Sequence, residues 1–352
     1  MKVLKFLMFI LLATTILSCY SINKPECDGV TKEPNFWEPT TSIWEPNTNP
    51  FNSNYVGGIA VANNGDIWTT VYHSVREDFF STVHLSTDNG DTWVQRGVFF
   101  TSLGQIFINP FNGYLFVTTS WQGMFRSTDN GENWVKVITD NITIYDVLFT
   151  LSGEMYIGVE YTEFFEHSWK GFYYSNNNGD TWIEKGNGLT NVYSLALGTD
   201  GTLYISLGVF GARLGVCRST DGGDTWSPPS NYNDILVHKL AVSDDGSIFA
   251  TTTHYGVLKS IDRGVTWTQV NTGLYNLETY VIIYNPISKD IFISVGINNR
   301  VYRSTDLGAS WKLEHSGLSR LGLVGIFAVN HNTGQMYVAC YDNGIYRSIN
   351  YP

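Results

Sequence analysis

At 352 residues the chain is about twice the length of a typical single domain, so a large buried core is within reach. Charged residues make up 15%, against about 25% in an average soluble domain, while aromatics also reach 15% beside 34 glycines. That composition excludes a coiled coil, a disordered tail and a helical bundle. A net charge of −11 leaves no basic face for a phosphate backbone, which excludes nucleic acid as the main partner.

The amino end, Met1-Lys2-Val3-Leu4-Lys5, is basic, and an apolar run from Phe6 to Leu12 follows. This is the pattern of a secretory signal, too short to span a bilayer as a helix. It closes on Ile16-Leu17-Ser18-Cys19, which resembles the bacterial lipobox. The resemblance implies a signal peptide over residues 1–18 and a diacyl group on the Cys19 thiol. An ordinary signal peptide that ends near a cysteine is the alternative. Losing residues 1–18 removes Lys2 and Lys5 and takes the net charge from −11 to −13. Anionic headgroups would repel such a body, so the lipid itself must be the membrane anchor. The expected address is the cell envelope, at the outer membrane or cell surface, with residues 19–40 as a tether. Of the remaining cysteines, Cys27 falls in the tether, while Cys217 and Cys340 lie in strand patterns and read as small buried hydrophobes.

Residues 41–352 are repetitive. Ser86-Thr87-Asp88-Asn89-Gly90-Asp91-Thr92-Trp93 returns as Ser127 to Trp134, Ser175 to Trp182, Ser219 to Trp226, Ser260 to Trp267 and Ser304 to Trp311. A truncated seventh copy is Ser348-Ile349-Asn350-Tyr351-Pro352. The serines are 41, 48, 44, 41, 44 and 44 residues apart, the length of four short strands with turns. Ser194-Leu195-Ala196-Leu197 and Thr202-Leu203-Tyr204-Ile205-Ser206 illustrate the first two strands, Gly123-Met124-Phe125-Arg126-Ser127 the third, and Trp182-Ile183-Glu184-Lys185 the fourth. The expected fold is all-β: a seven-bladed β-propeller of four-stranded blades.

The repeated element resembles the Asp-box (BNR) repeat of the sialidase-like propellers. The resemblance implies a structural turn, in which Ser and Asp bond the loop's own backbone and Gly supplies positive φ. The Trp then packs between blades, and the boxes lie on the face opposite the ligand. Asn177 and Asn350 replace the aspartate in two copies. Calcium binding is disfavoured, because each run carries too few carboxylates.

The last copy ends after its third strand, so another segment must supply the fourth. Thr40 to Pro46, with Trp44 at the box position, is the candidate, and an amino-terminal strand there would close the ring. The competing reading makes Phe36-Trp37-Glu38-Pro39 and Trp44-Glu45-Pro46 a proline-punctuated tether.

In a propeller, the loops between second and third strands share the binding face. These are short in units 2 (Trp121-Gln122) and 5 (His254-Tyr255). They are long in unit 1 (His73 to Ser81), unit 3 (Thr162 to Lys170, with Glu163, Glu166 and Trp169) and unit 4 (Val209 to Gly215, with Arg213). Long loops on one face of a repeat array mark a binding face. Aligning the inner strands brings Gly57, Gly104, Tyr145, Tyr193, His238, Tyr280 and Gly325 to one position. Three tyrosines and a histidine there would ring the channel mouth, suited to a glycan or a peptide, or would simply fill the channel.

The family resemblance admits a glycoside hydrolase, which needs two facing carboxylates or the sialidase pattern of three arginines with a tyrosine nucleophile. Asp146, Glu160, Glu163 and Glu166 all fall in one unit, which makes a facing pair hard to build. Arg76, Arg213 and Arg300 do fall on the expected binding face, but the Arg-Ile-Pro motif is missing and sialidases have six blades. Xyloglucan-type enzymes use two propellers. The single seven-unit form is also similar, in repeat count alone, to photosystem assembly factors. No metal or cofactor motif is present. The favoured reading is a monomeric, lipid-tethered binding or scaffold propeller for a glycan or protein ligand. Trp121, Tyr145, Glu163, Glu166, Trp169, Tyr193, Arg213, His238, Tyr255, Tyr280 and Arg300 are the candidate contacts, and a hydrolase is the alternative.

Overall fold

The structure is a computed structural model. It describes residues 37–39, 52–75, 78–120, 122–139, 142–160, 171–186, 188–208, 215–227, 235–296, 300–314, 318, 324–340 and 344–348. All of them belong to one unit, Asn35–Pro352.

Seven antiparallel sheets succeed one another along the chain as the blades of a ring, and no helix occurs among the described residues. The inner strands are Asn52–Val61, Leu103–Ile108, Ile144–Phe149, Val192–Leu197, Val237–Val242, Thr279–Tyr284 and Val324–Val329. Among the described residues, six blades show four strands; blade 4 shows three, with the start of its outer strand marked by a bridge between Arg218 and Ser227.

An amino-terminal strand does complete blade 7, but it is not the expected one. Trp37–Pro39 pairs with Gly344–Ser348, Trp37 opposite Ser348 and Pro39 opposite Tyr346. The anticipated strand around Trp44 lies outside the described residues, and the last residues of the anticipated tether join the sheet instead. Both segments read Trp-Glu-Pro, and a proline closes a short edge strand without leaving a ladder donor unmet. The long loop expected in blade 1 is likewise mostly strand. Ile67–Val75 and Asp78–Ser86 pair over nine rows, because Tyr72, Val75, Phe79 and Phe80 are strand formers.

The boxes are built as hairpin locks. Ser86 Oγ donates to Asp88 Oδ1 and accepts from Gly90 N, both at 2.8 Å. Asp88 in turn accepts from Thr92 N at 2.8 Å and from Thr92 Oγ1 at 2.5 Å. Asn177 makes the equivalent bond to Thr181 N at 3.0 Å, so the amide substitutes for the carboxylate. The fourth and fifth residues are both left-handed, as in Asn89 (φ 62°) with Gly90 (φ 91°).

Four boxes are also clamped by the preceding blade. A basic residue on its third strand reaches the carbonyl of the left-handed residue: Arg126 to Asn178 at 2.7 Å, Arg218 to Arg263 at 3.0 Å, Lys259 to Leu307 at 2.9 Å and Arg347 to Asn89 at 2.9 Å. The second strand offers a buried aromatic at a fixed place in every blade: Trp68, Phe116, Tyr156, Tyr204, Phe249, Phe292 and Tyr337. The box glycine lies flat against several of these. A Cβ on Gly131 would stand 3.0 Å from Trp68, and one on Gly308 3.0 Å from Phe249. Box tryptophans seal the same layer, Trp134 meeting Phe99 edge-on at 5.5 Å.

Two expectations follow from this lock. Arg263 holds φ 59° where three other boxes have asparagine, and a left-handed non-glycine residue costs about 1–2 kcal/mol. Its ion pair with Asp200 is exposed, and such pairs contribute little. Arg263→Asn is therefore expected to raise stability by about 0.5–1 kcal/mol, read as a higher urea midpoint. The second concerns pH. Hydrogen bonds from Thr92, Thr225 and Thr266 hold Asp88, Asp221 and Asp262 down at about 2. Their stabilisation is complete above the unfolded carboxylate range and fades as pH falls from about 4 towards 2. Replacing all three by Asn should flatten a thermal-denaturation profile over that interval; an unchanged slope would refute the assignment.

Candidate functional site

Every inner strand carries a register shift, and in all seven blades it includes the residue aligned from sequence: Gly57, Gly104, Tyr145, Tyr193, His238, Tyr280 and Gly325. A bulge leaves one residue unpaired and re-aims its side chain, which is how a strand turns a residue into a channel. In blade 3 the bulge pairs near Val159, while the box serine Ser175 sits opposite Met155, at the other end of the second strand. The bulge residues therefore gather at the channel end away from the boxes.

Packing requires glycine at two of the three glycine positions. A Cβ on Gly57 would lie 3.0 Å from the Gly104 carbonyl oxygen, and one on Gly104 2.9 Å from Thr118 Oγ1. The neighbouring blade's backbone at Gly57 and a second-strand hydroxyl at Gly104 keep these two positions small.

The aromatic half forms two pairs. Tyr145 and Tyr193 stack with centroids 4.2 Å apart and planes 21° apart. Gly208 also packs against the Tyr193 ring, where a Cβ would collide with its carbons. Burial first, then the Glu160 carboxylate and hydrogen bonding with Tyr193 and Glu160, push the Tyr145 hydroxyl well above the ordinary tyrosine range. His238 and Tyr280 lie 5.0 Å apart, and His238 Nε2 meets Thr253 Oγ1 at 3.0 Å. Burial lowers His238 to about 4, so its ring is neutral at physiological pH.

Directly beneath, the next residues interlock three blades. Asp146, 4% exposed, accepts from Leu195 N and Lys239 Nζ, each at 2.8 Å, and from Ser194 Oγ at 3.2 Å. Ser194 Oγ then accepts from Leu240 N at 3.1 Å. Asp146 is thus spent on an ion pair between blades 3 and 5, a role the sequence reading did not give it.

Farther out on the same face, Tyr255 is 40% exposed and Arg300 is exposed, its guanidinium 5.3 Å over the Tyr275 ring. Tyr275, 52% exposed, was not anticipated; it follows blade 5's outer strand, where no repeat pattern marks it. Trp121, Glu163, Glu166, Trp169 and Arg213 lie outside the described residues, as does Cys19. Among the described residues, no group of three or more His, Cys, Asp or Glu side chains is placed to hold a metal ion.

No protein-family model and no curated protein sequence matches the chain. Solved structures do. YCF48 from Cyanidioschyzon merolae superposes with a TM-score of 0.64 at 14% identity over 89% of this chain and 98% of its own; YCF48 has also been solved bound to D1 peptide. The GH74 xyloglucanase from Xanthomonas campestris gives 0.59 at 15% identity, over 87% of this chain and 59% of the enzyme. Virginiamycin B lyase from Staphylococcus aureus, as a catalytically inactive variant with quinupristin, gives 0.63 at 13%, over 86% and 97%. At these identities the likeness is one of fold, and the chain is a seven-bladed β-propeller.

Proposed function

We propose that this protein is a binding propeller, which presents the face away from its boxes to a glycan or protein partner, with a protein segment the better fit. One observation carries this reading. The side chains converging on the channel mouth are arranged to hold hydrogen bonds and not to move protons. Tyr145 is driven away from ionisation, the opposite of an activated nucleophile, and Asp146 is neutralised by Lys239. A protein segment is favoured because Tyr145 and Tyr193 turn a face of each ring onto the other and Gly208 abuts Tyr193, which reduces the ring surface open to a sugar. The peptide-bound state of YCF48 supports the same class.

Two finer readings belong to this proposal: the hairpin loops are of the Asp-box type, and Cys19 carries a lipid that holds a monomer at the cell envelope. Metabolic labelling with a radioactive fatty acid should mark the wild type and not Cys19→Ser. For the binding reading, the full chain is tested against aryl-glycosides, a glycan array and immobilised peptides. Peptide binding without glycoside turnover is expected. Turnover abolished by changing Glu160, Glu163 or Glu166 would replace this reading with a hydrolase.

A further inference from the structure

Arginine in this protein is almost always spent. Among the described residues, Arg96 faces Glu132, Arg126 Asp180, Arg263 Asp200, Arg303 Asp290 and Arg347 Asp91, while Arg218 bonds the Arg263 carbonyl. Arg300 is different. It is exposed, it meets no oxygen among the described residues, and its partner there is the Tyr275 ring, 5.3 Å from the guanidinium carbon. In a chain of net charge −11 that exception is conspicuous, since acids to pair with are plentiful.

The perch is built. Arg300 opens blade 6's third strand opposite Val295, whose carbonyl oxygen accepts from Tyr275 Oη at 3.4 Å. Next to it Gly296 takes φ 72°, and a Cβ there would collide with Tyr275 Oη, so the tyrosine rests against bare backbone. Tyr275 is further held near-parallel to Tyr302, 6.1 Å away and inclined 21°. A guanidinium lying on an aromatic ring keeps its planar N–H fork free for a bidentate partner, and the planar partner of matching geometry is a carboxylate.

We propose that Arg300 is the anchor for a carboxylate of a bound polypeptide, an acidic residue or chain end that docks on the rim while the rest of the segment reaches Tyr280 and His238. This rests on the peptide-binding reading above and adds the chemistry of what binds. A peptide fits better than an acidic sugar, because Arg300 occupies one face of Tyr275 and Tyr302 stands near-parallel to it, which reduces the ring surface left for a pyranose.

The test pans a random dodecapeptide phage library on the immobilised full chain, wild type and Arg300→Gln in parallel, with oligogalacturonate titrated separately. Wild type should select peptides that share an Asp or Glu at a fixed position. Changing that residue to its amide, or Arg300 to Gln, should each weaken binding by about 10–100-fold, and the two together no further. Arg300→Lys should recover part of the loss, since it keeps charge without the fork. Unchanged melting of Arg300→Gln checks the fold. Peptides that bind Arg300→Gln as well as wild type, yet lose affinity on His238→Ala, would overturn the anchor and leave the peptide-binding reading standing. No selected peptide would overturn both, and Arg300-dependent binding of oligogalacturonate alone would replace the peptide with an acidic glycan.

Discussion

Phe249→Ala is expected to lower the unfolding free energy by about 3–5 kcal/mol. Phe249 is fully buried between blades 5 and 6, packed with Val257, Ile282 and Ile291. It supports the Gly308 turn of the next box and lies 5.3 Å beneath the Lys259 ammonium, whose Nζ bonds the Leu307 carbonyl at 2.9 Å. Truncation therefore opens a cavity and also removes the floor on which a neighbouring hairpin rests. Phe249→Leu keeps much of the apolar volume and should lose less than half as much. Urea denaturation followed by tryptophan fluorescence separates the variants. Equal losses for Ala and Leu would mean that volume is not what the seat supplies.

Lys239→Met is expected to cost a similar amount, about 3–5 kcal/mol, for an electrostatic reason. It strands the Asp146 carboxylate, which is 4% exposed and keeps only neutral donors, Leu195 N, Val147 N and Ser194 Oγ. Replacing both charges, as in Asp146→Leu with Lys239→Met, should recover most of the loss, because two apolar groups leave no charge unpaired. Urea denaturation of the single and double variants is the check, and a double variant no more stable than Lys239→Met would contradict the pairing. Because Asp146, Ser194 and Lys239 each follow a bulge residue, the same variant should also loosen Tyr145, Tyr193 and His238.

The seven bulge residues were legible because an inner strand repeats in every unit, and aligning apolar residues fixes the offset to any irregular neighbour. What a bulge residue does was not legible. Tyr193 reads as an open aromatic until Gly208, fifteen positions later, is seen to lie beneath its ring. The second-strand aromatics went unremarked although they recur as an apolar–aromatic pair after each turn, as in Ile67-Trp68 and Met155-Tyr156. They resemble ordinary strand residues until the glycine of another unit is found against them. The closing strand could not be located from sequence, since Trp37-Glu38-Pro39 and Trp44-Glu45-Pro46 are identical and three residues carry no periodicity. The Asp146–Lys239 pair joins positions 93 residues apart, which no local pattern encodes.

That the first and last strands lie side by side, Trp37 against Ser348, has a consequence for how the molecule can be rewired. The first and last strands of the ring share a single blade, so a peptide linker from Ser348 to Trp37 could turn a hydrogen-bonded clasp into a covalent one. The chain could then be reopened at an exposed turn of another blade without asking any strand to change neighbours. Such circular permutants would move the closing seam of the ring from blade 7 to a place of the experimenter's choosing.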